Sequence, residues 1–208
     1  MTSTWRATAK ADRRQRYLDA AAERFAARGY AGVGIEELGA AAGVSGPALY
    51  RHFRGKEEVL AELLVSASER LLDGATQAVG RGADPSTTLA DLVAFHADFA
   101  LAERDVIRVQ DRELSHLSED ASRRVRSLQR RYVETWADVL VGVRPDLSRA
   151  EAVVRLHAVF GLLNATPTTP GLEAMPDPVG LLSAMALAAL LGPPGQPGRR
   201  DSSSGVIR

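Results

Sequence analysis

The chain has 208 residues, of which 45% are hydrophobic and none is cysteine, with 26 Lys/Arg balanced by 26 Asp/Glu. This is ordinary globular composition, and it excludes a wholly disordered chain, disulfides, thiol catalysis and cysteine-ligated zinc. The charge balance hides an asymmetry, since residues 1–56 carry ten Lys/Arg and five Asp/Glu whereas residues 57–208 carry sixteen and twenty-one.

A basic head on an acidic body points to a nucleic-acid partner for the head alone. Residues 1–10 show no signal-peptide core and read as a flexible N-terminus. From Ala11 to Arg28, Tyr17, Leu18, Ala21, Ala22, Phe25 and Ala26 recur at helical spacing, and Gly29 ends the helix. Short helices fit Ile35 to Ala42 and Gly46 to Phe53, and a long one begins at Lys56 with Val59, Leu60, Leu63, Leu64, Ala67 and Leu71 inward. Further helices are expected from Pro85, over Val106 to Leu117, over Asp120 to Val141, from Ser148 to about Asn164, and over Val179 to Leu191. Ser148 and Glu151 have the spacing of a capping box. The apolar run Leu181 to Leu191 is too short to span a bilayer, and residues 192–208 read as a disordered Gly/Pro/Ser/Arg tail. No period-2 strand and no repeat is evident. The expected fold is all-α, in a soluble cytoplasmic protein.

Two short helices separated by Gly43-Val44 have the dimensions of a helix-turn-helix, whose second helix enters a major groove. With Leu49 and Phe53 inward, Pro47 and Arg51 point away, flanked by Ala48, Tyr50 and His52. Arg51 suits a guanine edge, whereas Tyr50, His52 and Lys56 suit phosphate. Ser45 is a candidate N-cap, and the first-turn amides at Gly46 can approach a phosphate. On spacing and charge alone, the alternative is an alanine-rich helical hairpin with a solvated charged face.

The segment AAGVSGPALYRHFRGKEEVL closely resembles the recognition segment of the TetR family of transcriptional regulators, and RRQRYLDAAAERFAARGYAGVGIEELGAAAG upstream resembles the rest of that DNA-binding domain. The resemblance covers about residues 11–60. It implies a DNA-binding domain over 11–56, an effector-binding and dimerisation domain over 57–191, a homodimer, and repression relieved by a small molecule. Its partners would be a palindromic double-stranded operator, the effector and a second copy, with no membrane. The family usually has a hydroxyl at the start of the second helix, where this chain has Val33-Gly34, so a phosphate contact there is either lost or passes to the backbone amides at Gly34. Gly46-Pro47 also departs from the usual pair, which places more of the base readout on Arg51.

Three body segments, RVQDRELSHL, RRVRSLQRRYVETW and RLHAVFGLLNATP, are similar to family members that regulate lipid and acyl-CoA catabolism. Physically, Phe95, Phe99, Val106, Val109, Tyr132, Trp136 and Phe160 supply an apolar lining for an effector. Arg112, Glu113, His116, Arg126, Gln129, Arg130 and Asn164 supply polar anchors, with Arg126 and Arg130 on one helical face for an anionic end. Aromatics at helical spacing are equally the stuff of a core. Val153, Leu156, Phe160, Leu182, Met185 and Ala189 on the last two helices form an expected dimer interface, a four-helix bundle across two subunits. His96 and His157 read as core histidines rather than metal ligands, and neither metal nor cofactor is expected.

Two rivals remain from the sequence. An enzyme is disfavoured, because the four histidines lack HExxH spacing, Gly43-Val44-Ser45-Gly46 misses the nucleophile-elbow pattern, and no catalytic residue stands out. A helical adaptor that binds only protein differs by having no DNA affinity.

Overall fold

In a computed structural model, residues 2–44 and 49–193 are described. Ser45, Gly46, Pro47 and Ala48, and residues 194–208 of the expected tail, lie outside the described residues. Among the described residues there are eight α-helices and no strand: α1 (Thr2–Arg28), α2 (Ile35–Ala41), α3 (Lys56–Gly80), α4 (Pro85–Ala102), α5 (Arg104–Glu113), α6 (Glu119–Val143), α7 (Arg149–Asn164) and α8 (Pro178–Leu191). The first helix therefore begins at Thr2, not at residue 11. No Gly or Pro interrupts residues 2–28, and alanine recurs through them, so nothing halts propagation toward the N-terminus.

The head packs α1 against α2 and the start of α3 around Tyr17, Leu18, Phe25, Leu38, Leu49, Phe53 and Leu60. Behind it, α3 lies along α6 and α4, α4 lies on α8, and α6, α7 and α8 close the body. Leu64, Leu89, Leu92, Trp136, Leu140 and Leu156 are fully buried there. Each such side chain contributes about 1.5–3 kcal/mol of burial. α5 leaves the body and packs on α1, which makes it the second connection, besides α3, between body and head.

The helix ends explain the boundaries. Asp84 caps α4, its carboxylate accepting from the amides of Ser86 at 2.9 Å and Thr87 at 3.1 Å, with Pro85 at the first turn. Ser148 caps α7 by accepting from the Glu151 amide at 3.1 Å, but the Glu151 carboxylate turns to Arg155 instead of closing the box. Two arginines hold the end of α8. Arg144 donates to the carbonyls of Leu191 and Gly192 at 2.7 and 2.8 Å, and Arg155 donates to those of Gly192 and Pro193 at 2.9 and 3.0 Å. Gly192 and Pro193, assigned to the tail from composition, are thus fastened to the body by cations at a helix C-terminus. No described helix is long and apolar enough to cross a membrane.

One close approach ties α3 to α4. A Cβ on Gly74 would lie 2.0 Å from the Phe95 ring, so only glycine lets that ring sit on the α3 backbone.

Candidate functional site

In the head, the i→i+4 bond from the Phe53 amide to the Leu49 carbonyl (3.0 Å) continues a helical turn, with both side chains buried. Tyr50 and Arg51 between them are exposed, Tyr50 by 54%. The turn is held from beneath by Arg14. Its guanidinium is bidentate to Glu62 on α3, donates to the His52 carbonyl at 2.9 Å, and stacks 4.4 Å from the Phe53 ring centre. The Glu62 bond raises the Arg14 pKa further, so the clamp keeps its charge at any working pH. Sequence spacing gave no sign of Arg14, because its partners lie 38 and 48 residues away.

His52 is half-buried, its ring 5.1 Å from that of Tyr17. Lys56 is also engaged: Nζ donates to the Tyr30 carbonyl at 2.8 Å and sits 4.2 Å from the Tyr30 ring centre. It thus fastens the α1–α2 loop to the start of α3, a structural duty absent from the phosphate reading. Gly34 is the N-cap of α2 in extended conformation and offers no side chain to cap it.

In the body, the structure draws part of the expected lining together. His96, Tyr132, Trp136 and Phe160 pack ring to ring at 5.0–6.1 Å between centroids. Asn164 joins them, its Oδ1 lying 3.1 Å from His96 Nε2, while His96 Nδ1 is 2.9 Å from the Tyr132 hydroxyl. An amide oxygen only accepts, so Nε2 carries the proton and Nδ1 accepts from Tyr132. The indole nitrogen of Trp136 is buried without a hydrogen-bond partner.

The other candidates go elsewhere. Phe95 rests on Gly74 of α3, and Phe99 lies under the Arg70 guanidinium at 5.6 Å. Val109 is wholly buried, and Glu113 is buried with His116 Nδ1 at 3.1 Å from its carboxylate. Arg126, Gln129 and Arg130 do not reach the aromatic cluster. They line an outer groove of about 770 Å³ between α6 and α7 with Val133, Arg149 and Val153. Arg126 and Arg130 are exposed on α6 and Gln129 is half-buried, whereas Tyr132 and Trp136 of the same helix are buried. His157, expected in the core, is exposed in the same groove.

The residues expected at the dimer interface split in the same way. Leu156 and Leu182 are buried inside the protomer, at 0% and 7% exposure, and Val153 and Phe160 are half-buried. Met185 and Ala189 are outside, beside Val154 and Leu181. The outward stripe of α7 and α8 is therefore Val154, Ala158, Leu181, Met185 and Ala188, not the Leu156–Leu182 side.

Burial disfavours the His96 cation and lowers its pKa from 6.5 to about 4. The groups packed on it, Tyr132, Phe160, Trp136 and Asn164, bring no charge. An unfolded chain binds this proton near pH 6.5, so stability is complete above that pH and is lost as pH falls toward 4. The expected loss over the window is about 3 kcal/mol, at about 1.4 kcal/mol per unit. Urea midpoints measured down this range should fall for the wild type and fall less steeply for His96→Leu. An unchanged slope in the variant would contradict the assignment.

The model of bacterial regulatory proteins of the tetR family matches residues 18–63, and the tetracyclin repressor-like C-terminal domain model matches residues 82–168. The transcriptional repressor KstR2 is 29% identical in Rhodococcus jostii, over 73% of this chain and 75% of that one. In Mycolicibacterium smegmatis it is 31% identical, over 66% and 70%. A TetR-family transcriptional regulator from Bordetella parapertussis superposes with a TM-score of 0.77 at 27% identity, covering 85% of this chain and 93% of its own. The regulator FadR from Bacillus subtilis, in complex with stearoyl-CoA, shares the fold with a TM-score of 0.67 at 19% identity, over 86% and 99%.

Proposed function

The chain belongs to the tetR family of bacterial regulatory proteins, and on that premise we propose that this DNA-binding transcriptional regulator is a repressor, bound to a palindromic operator as a homodimer and released by a lipid-derived effector. The observation that carries the DNA reading is the recognition turn, with Leu49 and Phe53 buried and Tyr50 and Arg51 presented outward from a clamped base. Arg51 reads a base edge, while Tyr50 meets phosphate.

The homodimer reading rests on the apolar outward stripe of α7 and α8, which suits a four-helix bundle with a second copy. The effector reading rests on the match of the C-terminal domain model over residues 82–168 and on FadR, whose structure holds stearoyl-CoA. Such a regulator works in the cytoplasm, where its operator is.

Arg51→Ala tests the DNA reading. The variant should lose about 1–3 kcal/mol on the selected operator and relax the preference at one base position per half-site. On a random duplex it should bind nearly as the wild type does. Competition gel shifts check this, and an equal loss on both duplexes would remove Arg51 from base readout.

A further inference from the structure

Two cavities meet where α5 crosses from body to head. The smaller, about 330 Å³, is lined by Arg108, Asp111 and Arg112 of α5 and by Gly161, Asn164 and Thr168. The larger, about 950 Å³, runs between α1 at Asp19 and Ala22 and the loop from Thr168 to Ala174, and it shares Arg108 and Thr168 with the first. Arg108 and Arg112 are four apart, so their stems share one face of α5. Asn164 forms the inner wall and is the residue bonded to His96, so the small cavity adjoins the aromatic cluster. Arg112 also reaches the head, where Nη1 donates to the Ala26 carbonyl near the end of α1 at 3.5 Å.

We propose that Arg108 and Arg112 bind the anionic end of the effector, a carboxylate or a phosphate, and that this capture draws Arg112 away from the C-terminal carbonyls of α1. The inference rests on the effector reading above, and it moves the charged end from Arg126 and Arg130 to the head–body junction. A guanidinium–oxyanion pair is shorter and stronger than a bond to a neutral carbonyl. The bond to Ala26 is at the long limit for a hydrogen bond, so an arriving anion wins the guanidinium. Asp111 lines the same cavity as a like charge to the arriving anion, and the two guanidinium groups on either side of it outweigh it. The head then loses a tie only in the liganded state, which is the differential affinity that release requires.

Calorimetry on the full chain with laurate, lauroyl-CoA and uncharged dodecanol tests this, paired with operator titrations without ligand. The wild type should bind the two anions more tightly than dodecanol. Laurate alone would show a carboxylate site, and lauroyl-CoA alone would show one that needs the phosphates. Arg108→Gln should lower anion affinity by roughly tenfold or more and weaken the ligand-free operator complex less than Arg112→Gln does. Arg112→Gln should lower anion affinity equally and also weaken the ligand-free operator complex, because it lacks the tie from the start. Arg112→Met serves the same comparison if the glutamine variant fails to fold. Anion binding undiminished in both arginine variants, or equal to that of dodecanol in the wild type, overturns this inference and leaves the effector reading standing. A wild type that binds none of the three overturns both.

Discussion

Placing charge on the outward stripe of α7 and α8 should abolish tight operator binding without unfolding the protomer. Val154 is 68% exposed and Met185 47%, so Val154→Glu with Met185→Glu sets carboxylates in water in the isolated chain. In a dimer the same carboxylates would be buried without partners, each at a cost of several kcal/mol. A monomer holds one half-site only and forfeits the effective concentration of the second head, worth roughly 10²–10⁴ in affinity. Sedimentation velocity should show a wild-type dimer and a variant monomer, with circular dichroism melts close to each other. The mirror experiment at Leu156 behaves differently. That side chain is fully buried, so Leu156→Glu buries an unpaired charge in the protomer itself and unfolds it. A variant that stays dimeric would move the interface elsewhere.

Trp136→Ala should cost about 3–5 kcal/mol of stability, a large share of what holds a domain of this size together. The indole is fully buried and meets His96, Tyr132 and Phe160 at 5.1–6.1 Å, so its removal opens a cavity amid rings that cannot collapse to fill it. The sequence places Trp136 in an effector lining, whereas its burial makes Trp136→Ala a fold-breaking substitution. The same cavity should then admit a small apolar probe such as indole, which would raise the melting temperature of the variant and not that of the wild type. A melting temperature within a degree or so of the wild type would contradict the packing described here.

The helices of this protein are legible because their apolar positions recur at three and four, and because Gly29, Gly43 and the Pro145 segment punctuate them. The recognition turn is legible for the same reason: two buried positions four apart settle which residues face out. What escapes the sequence has definite physical causes. α8 is apolar around almost its whole circumference and α7 scatters Arg149, Glu151, Arg155 and His157 among its apolar residues, so periodicity cannot say which side of either helix faces the protomer and which a partner. Hence Leu156 and Leu182 were indistinguishable from Val154 and Met185. Arg126 and Arg130 share a face, as expected, but only the packing of α6 against α3 decides that this face is the outer one. The Arg14 clamp, the Lys56–Tyr30 contact and the His96–Asn164 bond join residues 26 to 68 positions apart. No local pattern encodes them.

Whether two heads joined through their paired bodies grip a two-fold operator is tested most directly by fluorescence anisotropy. An operator selected from a random duplex pool is titrated with the protein beside the same duplex with one half-site scrambled. Two protomers should bind each operator, with a loss of roughly 10²-fold or more on the scrambled duplex and affinity on both falling as salt rises. One protomer per duplex, or equal affinity for the two, would contradict the two-headed grip.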